Sequence, residues 1–95
     1  MRNGYVYIIT NSNNSTLYVG VTSNIKKRIY EHKQKFIDGF SKKYNLTKLV
    51  YFECFDNITD ALCREKQLKA YKRAKKQEIV NSLNPEWKDL YEGIL

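Results

Sequence analysis

Five residues of this 95-residue chain carry side chains that acid–base or electrostatic chemistry could use: Tyr7, Tyr18, Arg28, His32 and Glu65. Arg28 and His32 stand four positions apart, so on a helix they share one ridge, bordered by Ile25 and Ile29. Glu65 follows Ala61 by four positions and precedes Leu68 by three, which puts it inside the apolar stripe of Ala61, Leu62, Leu68 and Tyr71. An ionised, unpaired acid on such a face costs several kcal/mol. Either it is paired or sits at the stripe's edge, or it is held for a metal ion or general-base work. His32 has the same two readings, a hydrogen-bonded core histidine or a catalytic one. The tyrosines raise the matching question, because a buried ring brings a hydroxyl that must find a partner.

Together these residues could hydrolyse a phosphodiester. A carboxylate can hold one hard divalent cation against a phosphate oxygen. An arginine neutralises charge as the pentacovalent phosphorus develops. A tyrosine whose pKa is lowered from about 10 by neighbouring cations can take a proton from water.

The elements that must position them follow from the pattern. Residues 5–10 (YVYIIT) and 17–21 (LYVGV) have strand composition, and the polar NSNNST between them predicts a hairpin. Ser23 or Asn24 caps a helix running to about Ile37, with apolar positions Ile25, Ile29 and Phe36 and with His32 where another apolar residue would fall. Gly39 ends it, and FSKKYNLT reads as a basic loop. Residues 48–55 (KLVYFECF) form a third strand. Thr59 caps a second helix running to about Arg73 or Ala74, and a further helix stops before Pro85. Trp87, Leu90 and Tyr91 are placed to fold back onto the core. The expected fold is α+β: a small three-stranded antiparallel sheet flanked by helices, in the order ββαβαα.

Composition limits the alternatives. The chain fits one domain, residues 1–95, with a single core. A formal charge of +7 suits a polyanionic partner, although solubility alone accounts for some of it. Cys54 and Cys63 fit no metal-ligand spacing and read as buried, reduced thiols; with one histidine in the chain, a zinc site built from His and Cys is not expected. No apolar run nears the ~20 residues of a membrane span and no signal peptide is evident, so the expected location is cytoplasmic.

In order along the chain, VYI (residues 6–8) and YVG (18–20), SNIKKRIYEH and ALCREKQLK resemble the motifs of the GIY-YIG nucleases. The likeness runs over residues 4–91 and is to the small stand-alone proteins of that family, whose tail resembles LNPEWKDL. It implies a metal-dependent DNA endonuclease. By position, Tyr7 and Tyr18 match the tyrosines of the two motif halves, and Arg28 the arginine at the scissile phosphate. His32 matches a position filled by His or Tyr, Glu65 the one protein ligand of the metal (Mg²⁺ or Mn²⁺), and Asn84 a late asparagine that orients the site. Gly20 is the second motif's glycine, where a missing side chain permits close approach. The chain departs from the pattern at Tyr5, which replaces Gly, and at Val19, which replaces Ile. Tyr5 shares a strand face with Tyr7 and either competes for the base role or packs beside it. The resemblance makes Tyr7 the general base, helped by His32 or Tyr18.

Larger members borrow specificity from an attached DNA-binding domain, for which this chain has no room. Its own basic segments hold Lys42, Lys43 and Lys48, then Lys66, Lys69, Lys72, Arg73, Lys75 and Lys76. Of these, Lys42, Lys43, Lys69, Lys72 and Arg73 are the expected phosphate contacts, giving salt-sensitive and largely sequence-blind DNA binding. Tyr44 and Tyr51 could stack on unpaired bases, favouring single-stranded or branched DNA. The rival readings are a non-catalytic nucleic-acid-binding module and an adaptor whose site serves a partner enzyme. A mere binding module has no use for Glu65 facing phosphate, and pull-down with and without nucleic acid separates the adaptor.

Overall fold

The computed structural model describes residues 4–95. Strand β1 (Gly4–Thr10) lies at the centre of a three-stranded antiparallel sheet, with β2 (Leu17–Thr22) and β3 (Lys48–Phe55) as its edges. The helices are α1 (Ile25–Lys33), α2 (Phe40–Lys43), α3 (Ile58–Ala70) and α4 (Arg73–Leu83), and a 3₁₀ turn, Tyr91–Ile94, closes the chain. The α+β architecture is the one expected, with α2 added where the sequence suggested a loop.

Alternation along β1 splits the core in two, because successive strand residues point to opposite faces. Val6 and Ile8 meet Val19, Val50, Ala61, Leu68 and Val80 on the face covered by α3 and α4. Tyr7 and Ile9 meet Ile25, Ile29, Leu46 and Leu49 on the other face, under α1. Leu90 and Tyr91 pack against this second cluster, and Trp87 against the first, so the tail does fold back. The tail is tied to β3 twice: Leu49 N–H donates to Asp89 Oδ1 at 3.2 Å, and Leu90 N–H donates to Leu49 O at 2.7 Å.

Several local expectations are corrected. Helix α1 ends at Lys33, not near Ile37, because Lys35 takes a left-handed conformation (φ 58°). Its N–H then reaches His32 O and that of Phe36 reaches Glu31 O, the paired bonds of a Schellman stop. Phe36 is therefore no member of the buried stripe. It is 68% exposed and packs edge-on against Tyr30, the apolar contact that accompanies such stops.

Helix α3 is capped by Asn57, whose Oδ1 accepts from Asp60 N–H at 2.8 Å, and not by Thr59. The same helix stops at Ala70 because Tyr71 and Lys72 are extended. Its stripe is narrower than expected, with Leu62 exposed, and Cys54 and Cys63 are exposed too. Among the described residues no helix is long and apolar enough to cross a membrane.

Candidate active site

The site forms on the α1-covered face of the sheet, toward the β2 edge. Tyr7 pairs across the strands with Gly20, and its ring lies over that glycine. A Cβ at position 20 would stand 2.3 Å from Tyr7 Cζ and 2.4 Å from its hydroxyl oxygen. The close approach that Gly20 permits is thus to the Tyr7 ring itself. Tyr18 lies two residues earlier on β2 and therefore on the same face.

Above this face, α1 delivers His32 and Arg28. Tyr7 and His32 are both buried, and the Tyr7 hydroxyl is 2.8 Å from His32 Nε2. His32 Nδ1 is in turn 3.0 Å from Oγ of Ser41, itself buried at the start of α2. In the tautomer that carries its hydrogen on Nδ1, His32 donates to Ser41 and leaves Nε2 to accept from Tyr7. Burial, and after it the Arg28 charge, pushes the His32 pKa down to about 4, so the imidazole is neutral at physiological pH. Ser41 is the member that the sequence did not reveal. It sits nine residues from His32 in a stretch that reads as a basic loop, and no spacing rule singles it out.

Tyr7 does not have the lowered pKa that the chemistry suggested. Burial raises it well above the ordinary value of 10.0, and Tyr18 adds to the rise. Arg28 pulls it down through charge and hydrogen bonding, and Glu65 raises it slightly. The same influences show that Tyr18, Arg28 and Glu65 all act on this one hydroxyl. Arg28 is only part-buried, 3.5 Å from Glu31, and lines a polar cleft with Thr22, Ser23, Asn24 and Lys27.

Glu65 arrives from α3, the helix on the opposite face of the sheet, so two layers meet at this edge. Its side chain is 15% exposed and pairs with Lys69 at 3.2 Å. Among the described residues no cluster of three or more acids, His or Cys stands ready for a metal ion. One hard carboxylate still suits a cation such as Mg²⁺, which keeps several waters and takes its other protein-side oxygens from substrate phosphate. The residues fit a metal that binds with substrate.

The structure does not bring Asn84 to this group. It is buried beside β3, the far edge of the sheet, with Nδ2 donating to Val50 O (3.1 Å) and Lys88 O (2.8 Å). Its Oδ1 accepts from Lys88 N–H at 3.1 Å. Tyr5 packs with the Tyr7 cluster and lines a separate cavity with Phe52, Cys54 and Ile94.

The expected nucleic-acid contacts divide. Lys69 stands between Glu65 and the Tyr18 ring, 6.0 Å from the ring centroid. Lys43 lies 5.4 Å from the Tyr44 ring, and Lys42 pairs with Asp38 at 3.3 Å. Lys72 is exposed at the α3–α4 junction. Arg73 is committed elsewhere: its guanidinium donates to Asn14 O and Ser15 O, both at 2.8 Å, and braces the β1–β2 loop. Tyr51 is no stacking residue. It is buried, donates to Glu53 Oε2 at 2.7 Å, and is pushed up to about 12 by burial and that carboxylate.

The chain is similar to known proteins in sequence and in fold. The GIY-YIG catalytic domain matches residues 3–78. The UPF0213 protein of Haloquadratum walsbyi is 40% identical over 75 residues, covering 79% of this chain and 83% of its own. That of Syntrophus aciditrophicus is 40% identical over 87 residues, covering 90% and 98%. A solution NMR structure of a UPF0213 protein from Bacillus halodurans shares the fold, with a TM-score of 0.59 over 97% of this chain and 96% of that one, at 23% identity.

Proposed function

Because this chain belongs to the GIY-YIG catalytic-domain family, which implies nuclease-type activity on nucleic acid, we propose that it is a metal-dependent DNA endonuclease of low sequence specificity. The observation that carries the proposal is the Tyr7 hydroxyl, bonded to a neutral His32 and acted on at once by Tyr18, Arg28 and Glu65. A purely structural tyrosine needs one partner and no converging charges.

In this reading the attacking water gives a proton to the Tyr7 oxygen as the Tyr7 proton moves to His32 Nε2. Both transfers occur in one concerted step with formation of the new oxygen–phosphorus bond, so that no free phenolate precedes attack. Ser41 holds His32 in the accepting tautomer, and His32 afterwards releases its extra proton to solvent. Arg28 neutralises the charge that gathers on the phosphate oxygens, and Tyr18 hydrogen-bonds beside it. The bond to the leaving oxygen breaks, that oxygen takes a proton from solvent, and one water is consumed. Glu65 would hold Mg²⁺ or Mn²⁺, which supplies positive charge against a phosphate oxygen. Lys42, Lys43, Lys69 and Lys72 track the DNA backbone, and Asn84 acts from a distance by fixing β3 and the tail. Residues 1–95 form one nuclease domain working in the cytoplasm.

The test is cleavage of labelled DNA in Mg²⁺ or Mn²⁺ and in EDTA, with Glu65→Gln alongside. Cleavage that needs metal and is lost in Glu65→Gln supports the reading. Cleavage in EDTA, or full activity in Glu65→Gln, overturns it. No cleavage with DNA binding intact would favour the binding module instead.

A further inference from the structure

We propose that Phe40 and Tyr44 form a base-stacking face continuous with the active site, fitted to single-stranded DNA in which the base beside the scissile phosphate is unpaired. The proposal rests on the nuclease reading for where the phosphate lies, but on separate observations for the base. Helix α2 turns Ser41 inward to His32, and Leu46 just beyond it is fully buried. With those two inside, the ridge of Phe40 and Tyr44, four residues apart, must face out. Both rings are large and apolar, yet they are 47% and 41% exposed.

They do not stand alone. Their centroids are 4.7 Å apart, and Phe40 is stacked on Tyr18 at 6.3 Å with 27° between the planes. The aromatic surface therefore runs unbroken from a residue of the candidate site out to solvent. Cations surround it: Lys43 lies against Tyr44, Lys69 against Tyr18, and Lys42 sits on the same turn. Two acids adjoin, and each is paired, Asp38 with Lys42 and Glu65 with Lys69.

Flat rings flanked by lysines match the two parts of a nucleotide, and a site built this way binds single strands with little regard to sequence. Bases inside a duplex are already stacked and cannot lie flat on a side chain without being unpaired. An apolar protein segment would not need the cations. A membrane surface would need more apolar area than two rings provide.

The experiment is equilibrium binding in EDTA, where cleavage does not enter. The probes are a thymidine oligonucleotide of about 12 nucleotides, a sugar–phosphate strand of equal length without bases, and the corresponding duplex. The wild-type protein should bind the thymidine strand roughly tenfold or more tightly than the baseless one. Phe40→Leu and Tyr44→Leu, which keep apolar bulk and lose the ring, should remove that preference while leaving the baseless strand bound as before. Phe40→Trp should retain it. Equal binding of the thymidine and baseless strands by the wild-type protein overturns the proposal, as does a clear preference for the duplex. If this preference holds but no DNA is cleaved in Mg²⁺ or Mn²⁺, the nuclease reading fails alone; cleavage without the preference removes only the stacking face.

Discussion

Replacing Gly20 by alanine should damage the protein through one contact, the Tyr7 ring. The new Cβ would lie 2.3 Å from Tyr7 Cζ, where two carbons normally rest about 3.5–4.0 Å apart. The ring must retreat by more than about 1 Å, or β2 must bow away from β1. Two effects compete in the free energy. Alanine is favoured over glycine within a strand by about 0.5–1 kcal/mol. Overpacking a fully buried ring costs about 1–3 kcal/mol, so the clash wins and the net loss is about 1–2 kcal/mol. For a chain of this size that lowers Tm by about 5–15 °C.

The effect on cleavage should be larger, about 100-fold, because a reacting group has been displaced by about 1 Å. Melting followed by circular dichroism, and cleavage rates taken well below both melting temperatures, separate the two effects. A cycle with Tyr7→Leu identifies the cause: without the ring, Gly20→Ala should become neutral or stabilising. If Gly20→Ala costs as much in the Tyr7→Leu background as in the wild type, the ring is not what excludes a side chain. A wild-type cleavage rate in Gly20→Ala would show that the position of Tyr7 does not matter.

Two further outcomes follow from the site's surroundings. His32 has a folded pKa of about 4 against an ordinary 6.5, so between those values the unfolded chain takes up a proton that folded His32 refuses. Stability therefore falls as pH drops through that window and levels off below it, by at most about 3 kcal/mol. His32→Gln should flatten that part of the melting profile, and an unchanged profile would refute the assignment. Asn84→Ala loses three hydrogen bonds, two of them from Nδ2 to backbone carbonyls, and should cost about 2–4 kcal/mol. Its cleavage rate per folded molecule should stay near the wild-type value; a large rate loss at unchanged stability would place Asn84 in the reaction.

What could be read from the sequence was whatever has a local composition, a period or a spacing. The three strands lie close to where their β-branched and aromatic composition puts them, although β1 is buried on both faces and shows no alternation of polar and apolar residues. Arg28 and His32 share a helical ridge as four-residue spacing requires. What could not be read depends on non-local packing. Nothing in the chain marks Lys35, in place of Gly39, as the residue that turns left-handed to stop α1. A four-residue helix has too few positions to show a period, so α2 passed as a loop and Ser41 and Phe40 went unnoticed with it. Asn57 and Thr59 are both good caps, and only the path of the chain decides between them. Cys54 and Cys63, expected inside by residue type, lie outside: Cys63 is off the α3 stripe of Ala61 and Leu68, and Cys54 is the second-last residue of the edge strand β3.

The raised pKa of Tyr7 changes how the site must be understood. Residue types alone suggest that neighbouring cations prepare the tyrosine as a base. In the folded protein burial outweighs Arg28, and the hydroxyl keeps its proton. In the proposed reaction the Tyr7–His32–Ser41 chain gives that proton a route only as the proton of water arrives, because a His32 with a pKa of about 4 does not take it beforehand. Glu65 enters here with two roles. Its charge raises the Tyr7 pKa, so anything that neutralises the carboxylate favours the phenolate. Lys69 provides part of that neutralisation from solvent-exposed α3, through an ion pair that surface screening keeps weak. A stronger positive charge at Glu65 would therefore do more than hold a phosphate oxygen: it would act on the proton of Tyr7. In the proposed reaction Glu65 and Tyr7 are thus coupled through the field between them, with Glu65 the smallest of the influences on that hydroxyl.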